Sequence, residues 1–98
     1  MKGDHPGDKI AEIKSRIDIV ELISEYISLK KAGKNFLGLC PFHNEKTPSF
    51  TVNREKQMYY CFGCGEKGDV FAFLMRLHNT TFPDTLKLLA RRTGPAAL

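Results

Sequence analysis

Residues 40–64 read CPFHNEKTPSFTVNREKQMYYCFGC and contain all three cysteines of the 98-residue chain. The stretch begins with Cys40-x₂-His43 and ends with Cys61-x₂-Cys64, with 17 residues between the two pairs. Each x₂ spacing lets one tight turn present two ligands to the same ion, and a hairpin between the pairs can bring them together. The spacing therefore predicts a zinc ribbon with one structural Zn²⁺ bound by Cys40, His43, Cys61 and Cys64.

Four nitrogen and sulfur ligands fill a tetrahedral shell, so a hydrolytic zinc site with an open position is not expected. The competing interpretation treats Cys61 and Cys64 as a redox pair and Cys40 as a buried thiol. His43 at ligand spacing argues against it. His5 and His78 are alternative fourth ligands. His5 lies in a predicted mobile arm, and His78 ends a predicted helix with no partner at ligand spacing, so a solvent-exposed imidazole is the expected role of both.

Composition is typical of a small soluble protein in a reducing compartment. An odd number of cysteines favours metal over a disulfide framework. No apolar run reaches the roughly 20 residues of a membrane span, and no secretory signal precedes the domain. We therefore expect a cytoplasmic protein without membrane contact.

Helices are predicted on both sides of the ribbon, which gives an α+β class with a short antiparallel sheet. Residues 1–7 are polar and turn-forming and predict a flexible arm, and residues 95–98 predict the start of a linker. The folded domain is thus expected over 8–94. Helix starts are indicated at Asp18, Asp69 and Thr81, each followed by an apolar stripe at helical spacing.

Short β-prone runs occupy the middle of the chain. Ile27 and Leu29 alternate with polar residues, residues 30–34 predict a basic turn, and residues 35–39 predict the returning strand. Residues 49–52 and 57–61 predict a second hairpin, with Phe50 and Val52 on its buried face.

The positive charge is concentrated in this segment, since residues 28–68 carry seven Lys or Arg against three Glu. Aromatic residues are interleaved with it, a combination that single-stranded nucleic acid sites use to attract phosphates and stack bases. Tyr59 and Tyr60 must point to opposite faces of their strand, so only one can be exposed, and the alternation alone leaves open which. An ordinary solvated surface is the alternative for any single lysine.

Two segments carry a family resemblance: KNFLGLCPFHNEKTPSF at 34–50 and YCFGCGEKGD at 60–69. They resemble the N-terminal zinc-binding domain of DnaG-type bacterial primases, and the resemblance extends over about 8–94. It implies a domain that binds single-stranded template DNA and helps select where short RNA primers begin. The nucleic-acid-binding residues that we predict from the resemblance and the basic segment together are Lys30, Lys34, Lys46, Arg54, Lys56, Phe36 and Tyr59.

The resemblance also implies what lies outside this chain. Primases have a separate RNA polymerase domain with Mg²⁺ or Mn²⁺, which the ribbon would serve in cis or in trans, and a C-terminal part that contacts the replicative helicase. We therefore expect no catalytic centre in these residues. The alternative function is a protein-interaction module that docks on the polymerase domain with little DNA contact. A stand-alone zinc enzyme with Glu45 as its base is disfavoured because the metal shell is expected to be closed.

Overall fold

The computed structural model describes residues 6–44 and 46–93, with side chains described from Ile10 onward. The four helices are α1 (Pro6–Ser15), α2 (Ile19–Ser24), α3 (Val70–His78) and α4 (Phe82–Arg92). The five strands are β1 (Lys30–Ala32), β2 (Asn35–Gly38), β3 (Phe50–Asn53), β4 (Met58–Cys61) and β5 (Lys67–Gly68). The predicted α+β class, a short antiparallel sheet packed with helices, is confirmed.

The strands form one antiparallel sheet in the order β1-β2-β3-β4-β5, so each strand pairs with the next in sequence. The register aligns Phe36 with Val52, Val52 with Tyr59 and Tyr59 with Gly68. Directly paired residues point to the same side of a sheet. This row, together with Phe50, defines the covered face, on which the helices pack.

Aromatic rings occupy the centre of the core beneath the covered face. Phe50, Tyr59 and Phe73 are almost completely buried. Phe50 stacks on Tyr59 with ring centroids 5.1 Å apart, and Phe73 meets both rings at 6.0 and 5.7 Å. The predicted burial of Phe50 and Val52 is confirmed, and α3 is held against the sheet through Phe73.

All three predicted helix caps are present. The side chains of Asp18, Asp69 and Thr81 accept hydrogen bonds from the backbone N–H of the residue three positions later, the arrangement expected of N-cap residues. α4 ends at Arg92, just before Gly94-Pro95, as the turn-forming dipeptide predicted. These helix ends are therefore set by local sequence.

Three predicted boundaries were wrong. α1 already includes Pro6 and Gly7, which the sequence assigned to an arm, because proline suits the first turn of a helix. Residues 30–32 form β1 and not a turn, since Gly33 at φ +65° lets two residues close the hairpin. The apolar stripe of the second helix, Ile19, Leu22, Ile23 and Tyr26, predicts a helix that includes Tyr26. Tyr26 instead lies beyond the end of α2 and is 40% exposed, although its ring contacts Phe73.

Residues 1–5 of the predicted arm and the predicted linker over 95–98 lie outside the described residues. Within the described ranges, no helix has the length and apolar character needed to cross a bilayer.

Asp69 joins two ends of the fold, and its loss gives a measurable prediction. Its carboxylate accepts from the Ala72 N–H at 3.0 Å and from the Lys14 ammonium at 2.8 Å. Burial raises the pKa of Asp69, but the Lys14 and Ala72 hydrogen bonds outweigh it, and the net pKa is lowered from 3.8. A lowered folded pKa means that this stabilisation is present above pH 3.8 and is lost as the pH falls below it.

We expect Asp69→Ala to lower the free energy of unfolding by about 1–2 kcal/mol at pH 7, the usual worth of an N-cap. Asp69→Asn, which keeps the cap and loses the charge, should cost only a few tenths of that amount. Urea unfolding of the zinc-loaded chain at pH 7 measures both costs. Equal costs for the two variants at pH 7 would contradict the capping role.

Candidate metal centre and open sheet face

The four predicted ligands lie together at one end of the sheet. Their ligand atoms are all within 4.8 Å of one another. The Sγ atoms of Cys40 and Cys64 are 3.9 Å apart, and Cys61 Sγ is 3.5 Å from His43 Nε2. Ligands at about 2.3 Å from a tetrahedral ion are about 3.8 Å from each other. The residues therefore fit a single Zn²⁺.

The tautomer of His43 follows from its second contact. His43 Nδ1 lies 3.2 Å from the Asn44 carbonyl oxygen. A carbonyl can only accept, so Nδ1 must carry the proton, and Nε2 keeps its lone pair on the side of Cys61. Metal-binding histidines commonly have their other nitrogen fixed in this way.

The backbone around the ligands explains why the two turns hold their shape. The Phe42 N–H donates to Cys40 Sγ at 3.4 Å, and the Gly65 N–H donates to the Cys61 carbonyl at 2.7 Å. Gly65 has φ +81°, a conformation that glycine adopts without steric cost. Between the first two ligands, the Phe42 ring packs on Phe73 at 5.6 Å. The first ligand turn is thus anchored in the aromatic core, a role that the spacing did not predict.

The electrostatics of the site differ between its buried cysteines. Burial raises the pKa of Cys40 to about 12. Burial also raises the pKa of Cys61, but hydrogen bonds from Ser49 and two backbone N–H groups, together with the His43 ring beside it, outweigh burial and lower the value to about 6. Metal binding requires thiolates. Both cysteines would therefore be thiolates in a metal-bound site.

This cluster is the one group of metal-binding side chains found among residues 6–44 and 46–93. His78 is not part of it, since its ring lies at the end of α3, 5.7 Å from the Tyr26 ring. His5 lies outside the described residues. A bound Zn²⁺ would cross-link the two ligand turns, and four protein ligands complete its usual shell.

The second surface of interest is the uncovered side of the sheet. The register aligns a row across all five strands that points away from the helices. We call this side the open face, and its row consists of Lys30, Leu37, Thr51, Tyr60 and Lys67. Apolar and aromatic side chains therefore lie between a lysine at each edge of the sheet.

An exposed aromatic pair dominates the open face. Phe62 is 72% exposed and Tyr60 is 39% exposed. Their ring centroids are 4.7 Å apart and nearly perpendicular. Neither residue was among the predicted nucleic-acid-binding residues, and neither was Lys67. The sequence did not reveal the register of the strands, which determines the face on which each strand residue lies.

Two predicted stacking residues lie on the other side, so these predictions were wrong. Tyr59 is only 2% exposed, because it pairs with Val52 on the covered face. Burial raises its pKa to about 12. Phe36 is in the same row and packs against the core, with the Arg54 guanidinium 5.2 Å from its ring. Both side chains pack on the covered face of the sheet.

Arg54 has a structural role that the sequence did not predict. Its guanidinium donates to both carboxylate oxygens of Asp18, with distances of 2.8–3.2 Å. Gln57 Nε2 donates to the same carboxylate at 3.0 Å, and Gln57 Oε1 accepts from the Ile19 N–H at 2.8 Å. The β3–β4 turn is therefore tied to the start of α2, and Arg54 serves that link.

The four predicted lysines surround the sheet. Lys30 is at the β1 edge, Lys34 and Lys56 are in the turns at the end away from the metal site, and Lys46 is in the loop after His43. All four are exposed. Within the described parts of the chain, none has an acidic side chain within ion-pair distance. Their charge is thus available to a ligand.

Comparison with known proteins agrees with this geometry. The family model described as CHC2 zinc finger matches residues 5–97. A DNA primase of Synechocystis sp. is 61% identical over 88 residues, which are 90% of this chain and 14% of the relative. A DNA primase of Halalkalibacterium halodurans is 49% identical over 89 residues, 91% of this chain and 15% of the relative. The chain thus spans about one seventh of the length of these relatives.

A solved structure supports the same assignment. The crystal structure of the Aquifex aeolicus primase, zinc binding and RNA polymerase domains, matches with a TM-score of 0.84 at 43% identity. The match covers 88% of this chain and 21% of that chain. The chain therefore belongs to the CHC2 zinc finger family and corresponds to the zinc-binding domain of DnaG-type bacterial DNA primases.

Proposed function

We propose that the open face binds single-stranded template DNA and thereby helps a bacterial primase choose where primer synthesis begins. The supporting observation is the exposed Tyr60–Phe62 pair, which has exposed lysines around it. Base stacking on aromatic rings tolerates any sequence, and lysines supply attraction to phosphates. Together these are the two parts of a single-strand binding surface.

Single-stranded DNA suits this surface better than a duplex. The open face is a short sheet with neighbouring exposed rings, and only unpaired bases can lay their faces on such rings. Duplex readers usually insert a helix or a β-ribbon into a groove. The described helices instead lie behind the sheet, on the covered face.

The rest of the proposal concerns the longer protein. We propose that the chain serves an RNA polymerase domain like the one named with the Aquifex zinc-binding domain, in cis or in trans. Catalysis, with Mg²⁺ or Mn²⁺, would belong to that domain. Contact with the replicative helicase would belong to the C-terminal part, and the setting would be the replication fork in the cytoplasm.

A protein-docking role is the second candidate, and one observation favours it. Leu39 and Met58 are 48% and 40% exposed, so part of the surface is apolar as well as basic. A domain interface could cover such residues. Crosslinking from a photoreactive residue at position 60 in the full-length primase separates the two roles: a DNA adduct supports template binding, and an adduct confined to the polymerase domain supports docking.

The lysines provide the direct test of DNA binding. We expect the combined Lys30→Gln, Lys34→Gln, Lys46→Gln and Lys56→Gln variant to lose at least about tenfold in affinity for a 12-nucleotide single strand at low salt. Each lost phosphate contact should reduce the slope of log affinity against log salt by about 0.7, or about 3 in total. Fluorescence anisotropy over a range of salt concentrations measures both quantities.

The matched control is Lys87→Gln, because Lys87 is an exposed lysine on α4, away from the sheet. It should change neither the affinity nor the slope. A quadruple variant that binds with the wild-type slope would remove the basis for this role of the lysines.

A further inference from the structure

We infer that a cavity beside the aromatic pair holds one unpaired base of the bound strand; this inference rests on the proposed function. The cavity has a volume of about 350 Å³ and opens at the β1–β2 side of the sheet. The lining residues that matter here are Leu29, Lys30, Ala32, Leu37, Leu39 and Pro48. Its size is at the lower end of the roughly 300–1,000 Å³ usual for small-ligand sites.

The chemistry of the lining selects the class of ligand. Its interior is formed mostly by aliphatic side chains and a proline ring, which favour a flat, weakly hydrated group. The charged lining residues are Lys30 and Lys31, and no acidic residue lines the cavity. A nucleotide combines these properties, because a base can enter the apolar part while its phosphate meets a lysine at the rim.

The position of the cavity connects it to the rest of the open face. Lys30 and Leu37, which line it, belong to the same cross-strand row as Tyr60. Leu37 and Tyr60 are two strands apart, a separation of about 10 Å. One strand of DNA lying across the row could thus place one base on the Tyr60–Phe62 pair and another in the cavity. The order of cation, apolar cavity, aromatic pair and cation matches a chain of alternating phosphates and bases.

An acidic peptide with apolar side chains is the other ligand that could suit the cavity alone. It would not account for the exposed aromatic pair and the second lysine, Lys67, in the same row. The nucleotide explains the whole row with one ligand.

The experiment compares the zinc-loaded chain with (dT)₁₂ and with an abasic 12-mer that has the same phosphates. Wild type should bind (dT)₁₂ more tightly. Leu39→Ala removes part of the lining, and Ala32→Ile fills the cavity with a residue that strands favour. Each should lower the affinity for (dT)₁₂ on the order of fivefold, as expected for a small loss of apolar burial. Neither should change binding of the abasic strand.

Leu88→Ala is the matched control, since it makes the same change as Leu39→Ala on α4, away from the open face, and Leu88 does not line the cavity. It should leave both affinities unchanged. If the cavity variants bind both strands like wild type while the lysine variant loses binding, the cavity inference is overturned and the proposed function stands. If neither strand binds at low salt, both are overturned. A third outcome would overturn the inference in favour of a protein ligand. In that outcome an Asp-Leu peptide binds tightly, the cavity variants abolish its binding, and the peptide displaces no DNA.

Discussion

Removal of zinc is expected to unfold at least residues 36–68. A structural zinc contributes an apparent ~10–16 kcal/mol in zinc-finger peptides, whereas an ordinary domain has only ~5–15 kcal/mol of stability in total. The ligand turns connect β2 with β3 and β4 with β5, so their release frees both halves of the sheet. Near-UV circular dichroism and amide hydrogen exchange during titration with a chelator measure the loss, and added zinc should restore the signal.

Cys61→Ala should reproduce the effect of the chelator, because Cys61 is fully buried and contacts His43. Ser49→Ala is a milder neighbour control, since Ser49 hydrogen-bonds the Cys61 sulfur at 3.5 Å and is not itself one of the four metal ligands. It should retain zinc and fold. Unchanged near-UV dichroism after verified metal removal would show that the aromatic core is sufficient without the metal.

The adjacent tyrosines should have opposite phenotypes. Tyr59→Ala is expected to cost about 3–5 kcal/mol of stability, as large-to-small changes of buried aromatic residues do. Tyr60→Ala should cost less than about 1 kcal/mol, since its side chain is on the open face. It should nevertheless weaken single-stranded DNA binding by about 1–3 kcal/mol, the worth of one stacked base.

Urea unfolding and anisotropy with (dT)₁₂ measure the two properties separately. Tyr60→Phe is the conservative control and should retain binding, because it keeps the ring. The assignment of the two faces would be reversed by two results together. Tyr59→Phe would lose DNA affinity while keeping wild-type stability, and Tyr60→Ala would lose no DNA affinity.

The metal site was predictable because its signal is local. Two x₂ pairs at hairpin spacing define the ligands without any knowledge of the tertiary structure. The same holds for the helix starts at Asp18, Asp69 and Thr81, where each cap contacts the backbone only three residues away. Local sequence also predicted that Tyr59 and Tyr60 lie on opposite faces.

The choice between these faces depends on register, which is a nonlocal property. Tyr59 is buried because it pairs with Val52, and that pairing is set by the length and shape of the turn between β3 and β4. Gln57 adopts φ +54° in that turn, an unusual conformation for a residue other than glycine. No pattern within the strand itself contains this information.

Arg54 shows the same limit for a charged residue. Its partner, Asp18, is 36 positions away in sequence, and a basic residue in a basic segment gives no indication of such a pair. The sequence could assign a positive charge to the segment, but only the folded structure distinguishes the cation that ties the turn to α2 from those that remain exposed. Phe42 also has a role that only the folded structure shows. It lies between two ligands in the sequence, and its aromatic side chain packs in the core.

The central claim is that a zinc-held sheet presents its open face to single-stranded DNA. Amide chemical-shift mapping of the zinc-loaded, ¹⁵N-labelled chain titrated with (dT)₁₂ tests it most directly. We predict that the largest shifts occur at Leu37, Thr51, Tyr60 and Phe62, with little change along α4. Chemical-shift changes confined to the helices would contradict the claim. So would the absence of any change at a DNA concentration and a salt concentration where the lysine-dependent binding is measured.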